Sequence, residues 1–283
     1  MNLTQVGPII NSFLLETFTL FLLAAGFFLI HRTAKFLNIA HGDYATLGAF
    51  LIWTLVSLAG LNIWVAMVIS IVVTGLVAIS IDRVSYKYLR SSPLALLLCS
   101  MGIGLVVRYG IFMIWGARFK KIAFALPNFE VLGMAISGSL IFTIAAGCLV
   151  LLIIYSLSKY TALGISARAM ADNATLAESF GIDTEKTLKF VWFLSGCTAT
   201  LGAVALTLYQ PLTFEMGFEW ILLIISVSIL AGERINLLLL LGACGIITAG
   251  MELGLFFIPE SYRMGVGFVI LVIAILVRRV LKK

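Results

Sequence analysis

Long apolar stretches recur along nearly the whole chain, and short polar segments separate them. A hydrocarbon core of about 30 Å is crossed by roughly 20 residues in helical conformation, and most of the stretches reach that length. Backbone groups in lipid must be hydrogen-bonded within the protein, which leaves helices as the solution for an open chain. The pattern predicts an all-α, polytopic membrane helix bundle of about eight to nine transmembrane or broken helices, forming one domain over residues 1–283. The predicted segments are 12–31, 43–60, 62–81, 94–115, 136–157, 190–209, 217–232, 235–256 and 263–280.

Segments 43–60 and 217–232 are short for a crossing, so we expect them to be broken or re-entrant. An arrangement of eight spans, with one fewer near the N-terminus, also fits the pattern. If nine passes alternate and the C-terminus is cytoplasmic, fourteen Lys and Arg residues lie inside and four outside. Because cytoplasmic loops carry the excess of basic residues, the N-terminus should be periplasmic or extracellular and the C-terminus cytoplasmic. The four outside residues are Arg118, Lys120, Lys121 and Arg263.

Composition narrows the function classes. Hydrophobic residues make up 62% of the chain and charged residues 11%, and the mean hydropathy is +1.14, which leaves no room for a soluble domain. The net charge of +6 comes from short loops and the C-terminus, so it is no sign of nucleic-acid binding. No Lys or Arg precedes Arg32, so we interpret the first apolar run as a retained span and not a signal peptide. Four separated cysteines suggest neither a metal site nor disulfides, and we expect no cofactor.

One polar segment, residues 158–189, interrupts the apolar pattern and holds eight of the 32 charged residues. Within it, Asp172 or Asn173 is suited to cap the start of a short helix, and Gly181 is suited to end it in the left-handed conformation. Asp183 would begin the next helix, which continues into the span near residue 190. So short a helix gains stability mainly by packing, either on its own protein or in a partner's groove. A solvated loop with ordinary amphipathic helices is the alternative.

The run from Arg168 to Asp183 resembles the cytoplasmic coupling segment of ABC importer permeases, most closely those of the branched-chain amino-acid transporter family. In such permeases a short helix of this kind rests in a cleft on the ATP-hydrolysing subunit. The resemblance implies that the same contact is made here. The coupling residues it implies are Arg168, Ala169, Asp172, Asn173, Ala177, Glu178, Gly181, Ile182 and Asp183.

A second match to the same family is the run of residues 38–49. Its matching positions are Asn38, Ala40, His41, Gly42, Tyr44, Gly48 and Ala49. Independently of any family, His41 and Asp43 flank a glycine between two apolar runs, where a charge is costly unless it is paired or hydrated. Gly42 would permit a helix break, and transporters use broken helices to bind or pass substrate. The alternative is that His41 and Asp43 lie at the cytoplasmic interface and cap the next helix.

A third, weaker match covers residues 83–104, where Gly102 and Gly104 would allow close helix contact or expose backbone to a pathway. Beyond Gln210 the likeness is thinner. Glu252 lies within a predicted span and is either functional or paired with a neighbouring helix. The matches, together with the charged residues at membrane depth, give a set of candidate pathway or broken-helix residues: Asn38, His41, Gly42, Asp43, Tyr44, Gly48, Ser100, Gly102, Gly104 and Glu252.

The resemblance implies a permease subunit of an ATP-driven importer in the bacterial inner membrane, carrying branched-chain or other small amino acids, or relatives such as urea and amides. The chain has no phosphate-binding glycine loop, so ATP would be hydrolysed on separate subunits and the chain itself would not be an enzyme. The implied partners are a second permease subunit, homologous or identical, two ATP-binding subunits, and an extracytoplasmic solute-binding protein. The binding protein would dock on outer loops 116–135 and 210–217, where Arg118, Lys120 and Lys121 could meet its acidic residues.

Two other functions are also compatible with the sequence. A stand-alone secondary transporter or channel could use Asp43, Arg108 and Glu252 for a coupling ion, but it leaves segment 158–189 unexplained. An intramembrane enzyme could use His41 with Asp43, but the chain offers them neither a nucleophile nor a metal-ligand set.

Overall fold

The structure, a computed structural model, describes residues 3–122, 124, 126–131, 134–257, 259 and 262–281. Within these residues the chain forms ten α-helices, one short 3₁₀ helix and one two-stranded antiparallel ribbon, which confirms the all-α prediction. The helices are α1 (Leu3–Thr33), α2 (His41–Ser57), α3 (Ile63–Val84), α4 (Pro93–Trp115), α5 (Gly138–Tyr160), α6 (Ala162–Ser179), α7 (Thr184–Thr207), α8 (Met216–Leu230), α9 (Leu237–Gly254) and α10 (Arg263–Leu281). The 3₁₀ helix is Tyr86–Leu89, and strands β1 (Phe129–Val131) and β2 (Met134–Ile136) form the ribbon.

Nine of these helices overlap the nine predicted segments, and α6 is the additional helix in the polar segment 158–189. By length and hydropathy, six helices in the described residues could cross a membrane: α1, α3, α4, α5, α7 and α9. Helices α2 and α8, with 17 and 15 residues, are shorter, as their short apolar segments predicted. The chain is therefore a multi-pass membrane protein in which two helices are too short to cross from face to face.

Helices α1 and α7 form the centre of the bundle and run antiparallel. A Cβ atom at Gly26 of α1 would overlap Ser195 and Thr198 of α7, and one at Gly202 of α7 would overlap Leu23 of α1. Small residues at these crossings let the two backbones approach closely, as is common between membrane helices. Most of the apolar surface of α1 and α7 is buried in the bundle, whereas most of that of α3, α4 and α5 is not.

The bundle has two distinct ends. One end of the bundle, which we call the basic end, has a cavity lined by residues from segments 33–36, 82–90 and 170–188. At the same end, Lys87 forms a 3.1 Å ion pair with Glu185. At the opposite end, Lys120 and Leu212 exchange backbone hydrogen bonds of 3.1 and 2.9 Å between two loops. Helix α1 begins at this opposite end, because it runs antiparallel to α7, which ends there. The start of α10 packs on this half of α1, where Arg263 pairs with Glu16.

The segment 34–40 turns back into the bundle. Helix α1 ends at Thr33, yet His41, the first residue of α2, hydrogen-bonds to the carbonyl of Leu23, almost three turns earlier in α1. Residues 34–40 therefore run from the basic end to about the middle of the α1 span. Helix α2 starts there and continues toward the opposite end.

A second re-entrant segment, 208–215, approaches the same point from the opposite end. Helix α7 passes the level of Leu23 at Gly202 before it ends, and α8 then begins again at the level of Gly42. A Cβ atom at either Gly42 or Gly217 would overlap the backbone of the other residue. The N-termini of α2 and α8 thus meet inside the bundle, which is the arrangement of discontinuous helices at mid-membrane.

The helix that follows α2 packs on α7, and the helix that follows α8 packs on α1. Helix α3 packs on α7 where Gly75 faces Gly196, and α9 packs on α1 where Thr17 and Thr248 share a 2.6 Å hydrogen bond. Helices α1 and α2 are thus arranged like helices α7 and α8, but the two pairs run in opposite directions.

Candidate functional site

A buried ion pair lies where α2 and α8 begin. Asp43 accepts hydrogen bonds from Arg108 of α4, with Nε–Oδ1 and Nη2–Oδ2 distances of 2.9 and 3.1 Å. Asp43 is fully buried and Arg108 is 7% exposed. The Arg108 guanidinium carbon lies 3.6 Å from the centre of the Phe218 ring of α8. The charge of Arg108 is therefore neutralised by Asp43 on one side and covered by the Phe218 ring on the other. A charge inside a bilayer requires such partners.

Position 104 has to be small for this pair to form. A Cβ atom on Gly104 would lie 2.6 Å from Asp43 Oδ2, so the missing side chain provides the space for the carboxylate. Ser100, Gly104 and Arg108 are spaced four residues apart and lie on one face of α4. All three are buried, so this face of α4 is built around the start of α2.

His41 ties three helices together. Its Nε2 lies 2.8 Å from the Leu23 carbonyl of α1, and its Nδ1 lies 3.0 Å from the Ser195 hydroxyl of α7. Because a carbonyl can only accept, the proton is on Nε2, and Nδ1 accepts from Ser195. Both ring nitrogens are satisfied by these two contacts, so the histidine serves as a fixed cross-link at the start of α2 and not as a partner of Asp43.

Polar side chains hold the re-entrant segment 34–40 in place. Tyr86 donates to the Asn38 side-chain oxygen at 3.2 Å, and the Tyr44 and Tyr86 hydroxyls lie 3.1 Å apart. The Ser100 hydroxyl accepts from the backbone N–H of Ile39 at 3.2 Å. A buried backbone outside a helix needs such partners, because apolar side chains and lipid offer its N–H and C=O groups no hydrogen bonds.

Most of the predicted pathway residues lie together around the start of α2, but the position of the helix break differs from the expectation. The break precedes His41, so the expectation of a break at Gly42 is wrong: Gly42 is in the first helical turn, where its lack of a side chain admits α8. Gly48 packs against Thr200 of α7, whereas a Cβ atom on Gly102 would meet nothing within 4 Å. Of the two glycines Gly102 and Gly104, only Gly104 makes the close helix contact that was one of the two expectations.

Glu252 lies apart from this group, at the opposite end of the bundle. Arg263 donates to Glu252 and to Glu16 over 2.6 Å each. Of the two alternatives for Glu252, a functional role or pairing with a neighbouring helix, the structure shows the pairing. The ion pairs help to join α1, α9 and α10.

The polar segment contains the predicted short helix. Asn173 has φ −156° and ψ 104°, which breaks α6 into two parts, and its side-chain oxygen accepts from the Leu176 N–H at 3.0 Å. Asn173 and not Asp172 is therefore the cap. Gly181 has φ +81° and ends the helix, as predicted. Asp183 accepts from the Lys186 N–H at 2.9 Å and starts α7, also as predicted.

Asp183 is charged at neutral pH in this position. The backbone N–H of Lys186, followed by its ammonium group, holds the pKa of the Asp183 carboxyl below its usual value. The carboxylate also lies beside the first free N–H groups of α7, where the helix dipole favours a negative charge.

The short helix, residues 174–179, presents an apolar pair to solvent. Ala177 packs inward, whereas Leu176 is 53% and Phe180 80% exposed. These two residues are four apart and lie on the same side of the helix end. Of the other expected coupling residues, Ala169 and Ile182 are half-buried, while the polar ones are exposed: Arg168, Asp172, Asn173, Glu178 and Asp183.

The segment 34–40 touches α6 directly. The Lys35 ammonium donates to the carbonyl of Ala171, two residues before the kink at Asn173. Lys35 adopts φ +57°, a conformation that L residues seldom adopt and that starts the turn back into the bundle. The sequence alone gave no sign of this contact, since it joins residues 136 positions apart.

Two contacts of the site were missed at the sequence level. Phe218, which covers Arg108, lies in an apolar run that looks like any other membrane helix. The spacing of Ser100, Gly104 and Arg108 predicts that they share one face of a helix, but it does not place that face against Asp43.

Known proteins resemble this chain over almost its whole length. Residues 9–275 match the family model described as branched-chain amino acid transport system / permease component. The probable branched-chain amino acid transport permease protein LivH of Methanocaldococcus jannaschii is 32% identical over 237 residues, covering 81% of this chain and 73% of that protein. The high-affinity branched-chain amino acid transport system permease protein BraD of Pseudomonas aeruginosa is 24% identical over 282 residues, covering 91% and 89%.

Among solved structures, PsaBC from Streptococcus pneumoniae in complex with Fab has a similar fold. The TM-score is 0.53 at 14% sequence identity, and the match covers 94% of this chain and 90% of that chain. At this identity the likeness shows a shared fold.

Proposed function

Because this chain belongs to the permease family of branched-chain amino acid transport systems, we propose that it is the transmembrane permease subunit of an ATP-driven importer, acting as a single permease domain. The observation that carries the proposal is the capped helix 174–179, whose exposed Leu176 and Phe180 offer an apolar contact to another protein. The chain has no phosphate-binding loop, so two separate subunits would bind and hydrolyse ATP. The basic end would then be cytoplasmic, as the excess of Lys and Arg there favours.

Closure of the ATP-binding subunits would act on the bundle through two contacts. The subunits would push on helix 174–179, and Lys35 would pass the movement to segment 34–40 through its hydrogen bond to Ala171. That segment ends at His41 and Asp43, so its displacement would reach the start of α2 at mid-membrane. The link is short because Lys35 and Asp43 are eight residues apart in sequence.

The solute would pass beside the meeting point of α2 and α8. An apolar pathway with few charges suits branched-chain or other small zwitterionic amino acids better than anions such as phosphorylated compounds. A second permease subunit, homologous or identical, would complete the pathway, since α4 and α8 expose large apolar side chains on the isolated subunit.

The opposite end would receive an extracytoplasmic solute-binding protein. Lys120 stacks on Trp53 at 4.0 Å and bridges to Leu212, which joins two outer loops into one surface. Arg118 and Lys121 are exposed on it and could pair with acidic residues of the binding protein.

Reconstitution tests the proposal. The purified permease pair is placed in liposomes with and without the ATP-binding subunits, and uptake of radiolabelled leucine is measured with ATP and binding protein present. We expect uptake only when the ATP-binding subunits are included. Equal uptake without them would favour a stand-alone carrier, although the charges available to such a carrier, Asp43, Arg108 and Glu252, are all in ion pairs.

A further inference from the structure

Glu219 is a carboxylate on the membrane-embedded surface of the subunit. It lies in the first turn of α8 and is exposed in the isolated subunit. Its depth follows from packing: Gly217 rests on Gly42, which follows His41, and His41 bonds to Leu23 near the centre of the span Gly7–Thr33. Glu219 is thus close to the middle of the bilayer.

A carboxylate at this depth requires an explanation. An acidic side chain at the centre of a membrane helix is costly, so such residues face protein partners or water. Asp43, at the same level, is buried and paired with Arg108. Glu219, by contrast, takes part in no salt bridge within the described part of the chain. Contact with lipid tails would leave this carboxylate uncompensated.

Aromatic residues occur on α8 next to Glu219 and on the part of α4 that runs beside it. Phe218 covers Arg108, and Phe112 lies 5.1 Å from Phe214 between ring centres, so this part of α4 runs beside the start of α8. Tyr109 and Phe112 of α4 and Phe218 of α8 are each 40–51% exposed. We call these three rings together with Glu219 the Glu219 surface.

We propose that the Glu219 surface lines a water-filled translocation pathway, and that Glu219 receives the ammonium group of the solute while the aromatic rings contact its apolar side chain. This inference rests on the proposed function, because it takes the solute to be a zwitterionic amino acid. A carboxylate beside apolar rings matches a cation with an apolar side chain, and the rings add cation–π attraction. The surface touches the Asp43–Arg108 pair through Phe218, but the charges of that pair already satisfy each other, which leaves Glu219 to bind the ammonium group.

Accessibility is the first test. The four native cysteines (Cys99, Cys148, Cys197 and Cys244) are replaced by alanine, and Glu219→Cys is compared with Val106→Cys in the assembled, ATP-supplied complex in liposomes. Val106 is 74% exposed, lies two residues from Arg108, and faces the groove between α3 and α4. A charged, membrane-impermeant methanethiosulfonate should modify the thiol at 219 at least about tenfold faster, because thiolates form in water and not in lipid. Equal, slow modification at both positions, with and without ATP, would overturn the proposal, whether lipid or protein covers the site.

Recognition of the ammonium group is the second test. Glu219→Gln should raise the KM for leucine uptake at least about tenfold and should reduce the preference for leucine over its deaminated analogue 4-methylpentanoate, while Glu219→Asp keeps that preference. Glu233→Gln, in the loop after α8, is the matched neutralisation and should leave both unchanged. An unaltered KM and preference in Glu219→Gln would contradict the role. If uptake proved independent of the ATP-binding subunits, the importer assignment would fail while the thiol-labelling result would still report on the pathway.

Discussion

The start of α2 and the short helix 174–179 use their side chains in opposite ways. At the start of α2, charged and polar groups are buried and satisfy one another: Asp43 with Arg108, and His41 with Leu23 and Ser195. On the short helix, apolar side chains are exposed. The first region satisfies its charges within the chain, whereas the second exposes a surface that the proposed function assigns to a partner. The comparison separates residues that hold the fold from residues proposed to bind another subunit.

The largest effect should come from breaking the buried pair. Arg108→Met leaves Asp43 charged and unpaired in the bundle, which we expect to lower the free energy of unfolding by about 3–5 kcal/mol. The double variant Asp43→Asn with Arg108→Met should recover most of that loss, because no charge then remains buried. Thermal denaturation in detergent measures both, with Arg118→Met in an exposed loop as control. A single variant as stable as the double variant would show that the pair does not stabilise the fold.

Removing one exposed ring should affect binding and not folding. Phe180→Ala is expected to weaken binding of the ATP-binding subunits by about 2 kcal/mol, roughly 30-fold in Kd, while its stability stays within about 0.5 kcal/mol of the parent. Phe257→Ala removes an even more exposed ring at the opposite end and should leave the Kd unchanged. Surface plasmon resonance on the detergent-solubilised permease gives the Kd. Equal affinities of Phe180→Ala and Phe257→Ala for the ATP-binding subunits would contradict a binding role for the short helix.

Changing the contact between α2 and α8 should have an intermediate effect on stability. Gly217→Ala adds a methyl group against the Gly42 backbone, and overpacking of this kind costs about 1–3 kcal/mol. Gly110→Ala is the matched change on α4, where nothing lies within 4 Å of the added atom, and it should be neutral or slightly stabilising. Their unfolding midpoints in detergent should differ by several degrees. Coinciding midpoints would mean that α2 and α8 do not meet closely.

The smallest effect concerns the cap of the short helix. Asn173→Ala removes the acceptor for the Leu176 N–H and should cost about 1 kcal/mol of helix stability. Asp172→Ala should cost less than half of that, since Asn173 is the capping residue. Hydrogen exchange at residues 176–180 measures the difference. Faster exchange in Asp172→Ala than in Asn173→Ala would reverse the assignment of the cap.

These regions also differ in how far the sequence predicts them. The caps at Asn173, Gly181 and Asp183 were predictable because capping depends on neighbouring residues, and the permease family expected from residues 38–49 and 168–183 is confirmed by the family match. The ion pair between Asp43 and Arg108 was not, because its partners are 65 residues apart. Gly42 was misjudged for the same reason. Its role depends on Gly217 of a helix that only the folded structure brings to it.

The most direct test of the account is whether the short helix rests on a separate ATP-hydrolysing subunit. In a cysteine-free permease, Leu176→Cys and Phe180→Cys are cross-linked to single cysteines in the cleft of the purified ATP-binding subunit, and leucine uptake is measured in the same liposomes. The account predicts cross-links at both positions and loss of uptake when they form, restored by reducing agent. Uptake that continues at full rate, with no cross-link from either position to that subunit, would contradict it.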